Sequence, residues 1–338
     1  MARNFISFVL RCRLEDVIAT GFSTILLIFF LTTSYFSSFQ LNGHDIVFIL
    51  LPVGILGVKT LLHLLFSSEA DPEKLDTGKY LAMFFQPLLK IFRDWFPFLL
   101  LSACYYALYT NLMLRVNPHT ADGVLSRIDA TLLGNQASIL LQPWIHPWLT
   151  DFFYLVYFSY VFSLPAVALF LYLTKKEKIF RRVMMGYLTL MLMGITSYLL
   201  VPATGPEKFF ADQFTTDLRG RTVSHGVAYI ISAGRVGYDC FPSLHVGIPL
   251  LLGLYLRDYR KSLFVPAMVY VGLMCGATIY LRYHYVTDVI AAFAYAPAAY
   301  WLNAFLLARW PGERIIIAAD KSTSPKSIIE HVEPARPL

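Results

Sequence analysis

The chain has 338 residues, 57% of them hydrophobic and only 15% charged. Soluble domains average about 45–50% apolar and about 25% charged residues, so this composition excludes a disordered chain and a disulfide scaffold and argues against an ordinary soluble enzyme. The formal net charge of +6 would point to nucleic acid in a soluble protein. In a membrane protein it fits the Lys and Arg that hold loops in the cytoplasm, and no nucleic-acid partner is expected.

A bilayer-spanning helix needs roughly 20 apolar residues. Eight runs qualify in chain order: Val17–Phe39, Ile46–Phe66, Trp95–Leu114, Leu149–Leu173, Val183–Val201, Pro242–Leu256, Ser262–Tyr280 and Tyr285–Ala308. The sixth is short and opens on polar residues. No small-residue cleavage site follows the first run, which reads as a retained helix rather than a signal peptide. Leu75–Lys90 is basic and amphipathic and reads as a helix lying on the cytoplasmic surface. Asp122–Pro147 is mixed and reads as interfacial or re-entrant helix. The tail after Trp310 is polar and reads as disordered.

The joining segments alternate in charge. Arg3, Arg11 and Arg13 precede the first run; Lys74, Lys79, Lys90 and Arg93 follow the second. Lys175, Lys176, Lys178, Arg181 and Arg182 follow the fourth, and Arg257, Arg260 and Lys261 the sixth. The positive-inside rule places these segments and both termini in the cytoplasm. The expected fold is an all-α polytopic membrane bundle of about eight helices. It divides into an N-terminal extension with its amphipathic linker (1–94), a helical core (95–310) and a cytoplasmic tail (311–338).

Three polar clusters interrupt the apolar sequence, all on the expected outer side, where ionisable groups at membrane depth point to function by default. In Phe241-Pro242-Ser243-Leu244-His245, a Pro at the first helical turn leaves N–H groups facing outward that favour an anion. Ser243 and His245 on that turn add a hydroxyl and an imidazole. The bland alternative is a helix cap with an interfacial histidine. In Arg282-Tyr283-His284-Tyr285-Val286-Thr287-Asp288, His284 and Asp288 are spaced to share a helix face. Asp288 can fix the imidazole tautomer and leave the other nitrogen as nucleophile or base. A structural His–Asp pair is the alternative. A metal pair is weaker, since two ligands lack a third cluster and the four cysteines (Cys12, Cys104, Cys240, Cys275) are scattered and read as buried thiols. The third cluster, Val201–Lys208, offers Lys208 as a phosphate-grounding cation, with Arg219, Arg221 and Arg235 as rivals.

These motifs resemble the type-2 phosphatidic acid phosphatase superfamily. Its second motif, Pro-Ser-x-His, is matched by Pro242, Ser243 and His245, and its third, ending His-x-x-x-Asp, by His284 and Asp288. The resemblance implies a six-helix core in which His284 forms a phosphohistidine, Asp288 orients it, His245 protonates the leaving group and Ser243 binds phosphate. The run Ile128–Gly134, with His146-Pro147, Tyr157–Tyr160 and Ala277–Tyr280, is similar to the inositol phosphorylceramide synthase branch. Two departures from the phosphatases stand out. Gly205-Pro206 replaces Arg-Pro of the first motif, and Thr278 stands where the third motif carries Arg, with Arg282 as a nearby substitute.

The resemblance therefore implies an integral-membrane enzyme acting on a lipid phosphate, with a lipid or water as acceptor and with no metal or cofactor. The catalytic set is His284, Asp288 and His245, and the substrate-binding set is Ser243, Arg282, Lys208 and Arg235. Transfer of phosphoinositol or another phospho-headgroup to ceramide or diacylglycerol is the leading reading. Hydrolysis of a lipid phosphate or polyprenyl diphosphate is the second, and a proton-coupled transporter using the same His and Asp is the reading from another class. The expected place is an inner membrane in a bacterium or a Golgi-type membrane in a eukaryote, with the site on the non-cytoplasmic side.

Overall fold

A computed structural model describes residues 12–32, 77–109, 117–234 and 237–311. These residues form helices α1 (Leu14–Thr32), α2 (Thr77–Tyr109), α3 (Asp122–Leu133), α4 (Ala137–Leu140), α5 (Pro147–Leu173), α6 (Glu177–Leu200), α7 (Pro206–Phe209), α8 (Ser224–Gly234), α9 (Leu244–Tyr259), α10 (Phe264–Tyr280) and α11 (Val286–Arg309). Among the described residues the only β-type pairing is an isolated bridge between Ala203 and Asp239.

Four of these helices are long and apolar enough to cross a bilayer: α5, α6, α10 with its leading turn (Lys261–Tyr280), and α11. The eight expected runs fare unequally. Ile46–Phe66, the ends of the first and third runs, and the tail from 312 onward lie outside the described residues. Leu75–Lys90 is not a separate surface helix. From Thr77 it runs straight into the third run as one 33-residue helix that carries Pro87 and Pro97 inside it. Asp122–Pro147 breaks into α3, α4 and a short 3-10 turn, all too short to span.

Burial separates hub from rim. The apolar window of α6 is 72% buried, against 22–33% for α5, α10 and α11. Helix α9 is buried along almost its whole length, from Leu244 to Tyr255, and packs against α5, α6, α10 and α11. The rim helices turn Phe152, Leu155, Val265, Val269, Ile290, Phe293, Trp301 and Phe305 outward. A surface of this kind is stable only against hydrocarbon. Gly194 lets Leu244 of α9 pack tightly on α6, since a Cβ there would lie 2.7 Å from the leucine side chain.

A layer of charges ties the helices together at the end opposite the two histidine motifs. Arg13 is buried and binds Asp16 and, at 2.7 Å, Asp94 of α2. Arg181 of α6 holds Glu15 of α1, and Lys90 of α2 pairs with Glu177. Asp258 of α9 receives Arg182 and the Tyr300 hydroxyl of α11. Leaving the buried Arg13 or Glu15, or the nearly buried Asp94, unpaired would be costly, so their pairs fix which helices adjoin, whereas the exposed Lys90–Glu177 pair contributes little.

Candidate active site

The helix termini at the other end carry the site. Helix α9 starts at Leu244, so Ser243 is its N-cap, His245 lies in its first turn, and Pro242, joined to Phe241 by a cis peptide bond, precedes the cap. This corrects the expected placement of Pro242 and Ser243 inside the first turn. Ser243 makes no side-chain cap, its buried Oγ has no partner, and its N–H donates to the Asp288 carbonyl.

His284 also lies outside a helix. Tyr285 is the N-cap of α11, and Asp288 is its third residue. The two side chains meet, but not across a shared helix face as their spacing suggests. Asp288 folds back over the helix start, where Oδ2 accepts the Tyr285 N–H at 2.8 Å and approaches His284 Nδ1 at 3.3 Å. A carboxylate is favoured at a helix N-terminus, which explains its position.

The two histidines meet directly. His245 Nδ1 is 3.2 Å from His284 Nε2. His284 Nδ1 lies 2.9 Å from the Cys240 carbonyl, which can only accept. Nδ1 therefore carries the proton, and Nε2 presents its lone pair to His245. The His245 ring stacks on Tyr157 and packs against Tyr160 of α5, with ring centroids 4.5 Å away in each case.

The remaining expected site residues divide. Arg282 is 7% exposed and adopts a positive φ of 66°. Its guanidinium binds the Thr216 carbonyl and stacks on Phe214, bracing the loop that carries them, while its buried Nε has no hydrogen-bond partner among the described residues. Burial draws its pKa below the usual guanidinium value. Thr278, in the place of the family arginine, bonds its hydroxyl to the Cys275 carbonyl, and its own carbonyl receives the Tyr283 and His284 N–H groups. Lys208 is exposed on α7. Arg235 lies outside the described residues.

Several residues join the site without having been assigned to it. Cys240, 4% exposed, donates its thiol to Asp288 Oδ2 at 2.9 Å. Burial, then the Asp288 charge, pushes that thiol's pKa well up. The donor atoms of Cys240, His284 and Asp288 lie within 4.8 Å of one another, a grouping able to hold a metal ion. This supplies the third ligand type that the His–Asp spacing alone lacks. Helix α3 contributes two buried carboxylates. Asp129 accepts the Val286 and Thr287 N–H groups at 2.8 Å and the Thr287 hydroxyl. Asp122 accepts from Thr204 and Gly205 N–H and from the Tyr285 hydroxyl. Asp122, Leu125, Ser126 and Asp129 fall on one face of α3 and are all buried. That helical spacing of two acids is the signal that could have marked them.

Gly205 sits where the first phosphatase motif has arginine. Its φ of 87° and ψ of 164° are open to glycine almost alone. A Cβ there would lie 2.6 Å from the Tyr283 carbonyl, beside His284.

Compared with known proteins, residues 124–302, more than half of the chain, match the PAP2 superfamily. No curated protein and no solved structure matches.

Proposed function

This chain belongs to the PAP2 superfamily, whose members are phosphatases and phosphotransferases, and from that premise we propose that it is an integral-membrane phosphotransferase working through a phosphohistidine on His284. The donor is a glycerophospholipid, and the acceptor is a lipid hydroxyl such as that of ceramide or diacylglycerol. Phosphoinositol is the headgroup this reading favours, from the resemblance to the inositol phosphorylceramide synthase branch. The reaction takes place at the non-cytoplasmic leaflet, on lipid that enters sideways from the bilayer.

The contact between His245 Nδ1 and His284 Nε2 at 3.2 Å carries the reading. The Nε2 lone pair attacks phosphorus as the bond to the diacylglycerol oxygen breaks. The substrate separates the two rings, which frees the His245 Nδ1–H to protonate that oxygen. Asp288 stabilises the imidazolium character that grows on His284 as the P–N bond forms. In the second half the acceptor hydroxyl gives its proton to His245, attacks phosphorus, and the P–N bond breaks. Charge on the phosphoryl oxygens is met by the first-turn N–H groups of α9, which have no partner within the helix, and by the Ser243 hydroxyl. The residues of this mechanism are those of the protein itself; no step requires a metal.

The test incubates purified protein with headgroup-labelled phospholipids, with and without ceramide or diacylglycerol. Acceptor-dependent transfer of label to a new lipid is expected, with His284→Ala inactive yet folded and Asp288→Asn strongly slowed. Release of water-soluble phosphate alone makes the protein a hydrolytic phosphatase. Turnover by folded His284→Ala refutes the phosphohistidine.

A further inference from the structure

We propose that Cys240, His284 and Asp288 form a divalent-cation site suited to Zn²⁺, and that filling it switches the active histidine off. The ligand-to-ligand distances carry the proposal. Around a tetrahedral zinc, with bonds of about 2.3 Å to sulfur and about 2.0–2.1 Å to nitrogen and oxygen, the N–O separation is about 3.3 Å and the S–N separation about 3.5 Å. The separations in the structure are 3.3 Å from His284 Nδ1 to Asp288 Oδ2 and 3.6 Å from Cys240 Sγ to His284 Nδ1. The third side, Sγ to Oδ2, is 2.9 Å because the thiol donates a hydrogen bond there. Replacing that proton by an ion asks the sulfur to retreat by about 0.6 Å.

A second observation points the same way. Asp288 is fully buried, and its Oδ1 has no hydrogen-bond partner. Buried carboxylate oxygens are normally satisfied, and a cation beside this carboxylate would offset the negative charge that Oδ1 leaves uncompensated. One thiolate, one imidazole and one carboxylate are a borderline-soft donor set, which selects zinc over magnesium or calcium. Thiolate and carboxylate together neutralise the ion's two charges, as a dry site requires.

Binding rearranges two protons. The thiol proton leaves to solvent as the Zn–S bond forms. The Nδ1 proton gives way to the Zn–N bond, and the imidazole stays neutral by carrying a proton on Nε2 instead. Nε2 then has no lone pair to offer, and His245 accepts from it through the opposite tautomer. This masking rests on the phosphohistidine reading; the binding itself does not.

The experiment titrates the full chain, purified in detergent, with Co²⁺ as a spectroscopic stand-in and Zn²⁺ as competitor, and follows lipid turnover in parallel. A thiolate-to-cobalt charge-transfer band that zinc displaces is expected. Cys240→Ala, checked for folding beside Cys240→Ser, should weaken binding by at least about 100-fold, the upper end of what loss of a mere supporting group costs. At zinc ten times its Kd, wild-type turnover should fall about tenfold by mass action and return with a chelator. No thiolate band, or a band that survives in Cys240→Ala, overturns the site and leaves the phosphohistidine untouched. A zinc-displaced band with undiminished turnover at saturating zinc overturns the switch, and with it the assignment of Nε2 as nucleophile.

Discussion

Replacing Asp129 by alanine tests how His284, the proposed nucleophile, is held in place. The carboxylate never touches the histidines. It accepts two backbone N–H groups from the first turn of α11 and the Thr287 hydroxyl, and it is 1% exposed. Each buried donor left without a partner costs about 1–3 kcal/mol. The lost anion at the helix N-terminus adds up to about 2 kcal/mol in a buried setting. Water can fill part of the gap left by the carboxylate, so a loss of about 4 kcal/mol is expected, among the larger single-residue effects. Activity should fall further than stability alone explains, because the first turn of α11 also carries Asp288 and follows directly on His284. A displacement near 1 Å costs on the order of 100-fold in rate. Asp129→Asn keeps one acceptor oxygen and should fall between the two. Thermal unfolding in detergent reads the first effect, and turnover measured well below the melting temperature reads the second. If Asp129→Ala melts within about 0.5 kcal/mol of wild type and turns over normally, α3 does not position the site.

Gly205→Ala should destabilise the fold by about 2–3 kcal/mol and abolish turnover, since the residue combines a glycine-only conformation with a Cβ clash against the Tyr283 backbone; unfolding in detergent and the lipid assay check both. Cys240 should resist maleimide near neutral pH in the folded protein. Its raised pKa keeps the thiol protonated there, so the reactive thiolate grows only as pH climbs or the chain unfolds, as mass spectrometry of modified peptides across pH will show. For orientation, a cysteine at the exposed Asp217 should gain label from a membrane-impermeant thiol reagent in intact cells, above the level of the native thiols, and one at the exposed Lys176 only after permeabilisation. The reverse pattern would place the chemistry on the cytoplasmic leaflet.

What the sequence discloses is local. Both histidine motifs are contiguous, and apolar runs mark α5, α6, α10 and α11 to within a few residues at most ends, because helices long enough to cross a bilayer must be apolar along most of their length. The meeting of His245 with His284 follows from counting crossings. Other features depend on partners far along the chain. Asp129 and Thr287 are 158 residues apart, and Asp122 and Tyr285 are 163 apart. No pattern near α3 shows that its acids serve a helix nearly half the chain away. Cys240 is hidden for another reason: a buried thiol among aromatic residues is ordinary packing until its neighbours are known. Arg282 is only half legible: a cation beside a histidine motif suggests phosphate, and the structure alone shows its backbone turn taking part of the guanidinium to Thr216 and Phe214.

The length of α9 sets how deep the reaction lies. Its 16 residues measure about 24 Å, roughly 6 Å short of a hydrocarbon core about 30 Å thick. On the proposed orientation, with the exposed Arg257 at the cytoplasmic water boundary, the opposite end, where Ser243 and His245 sit, would stop beneath the headgroups. On the proposed function a donor phosphate would then have to sink to reach it, and so would any attacking water. The hydroxyl of ceramide or diacylglycerol already resides near that level. For the transfer proposed above, depth alone would raise the local concentration of a lipid acceptor relative to water, and a longer α9 would shift the balance toward hydrolysis.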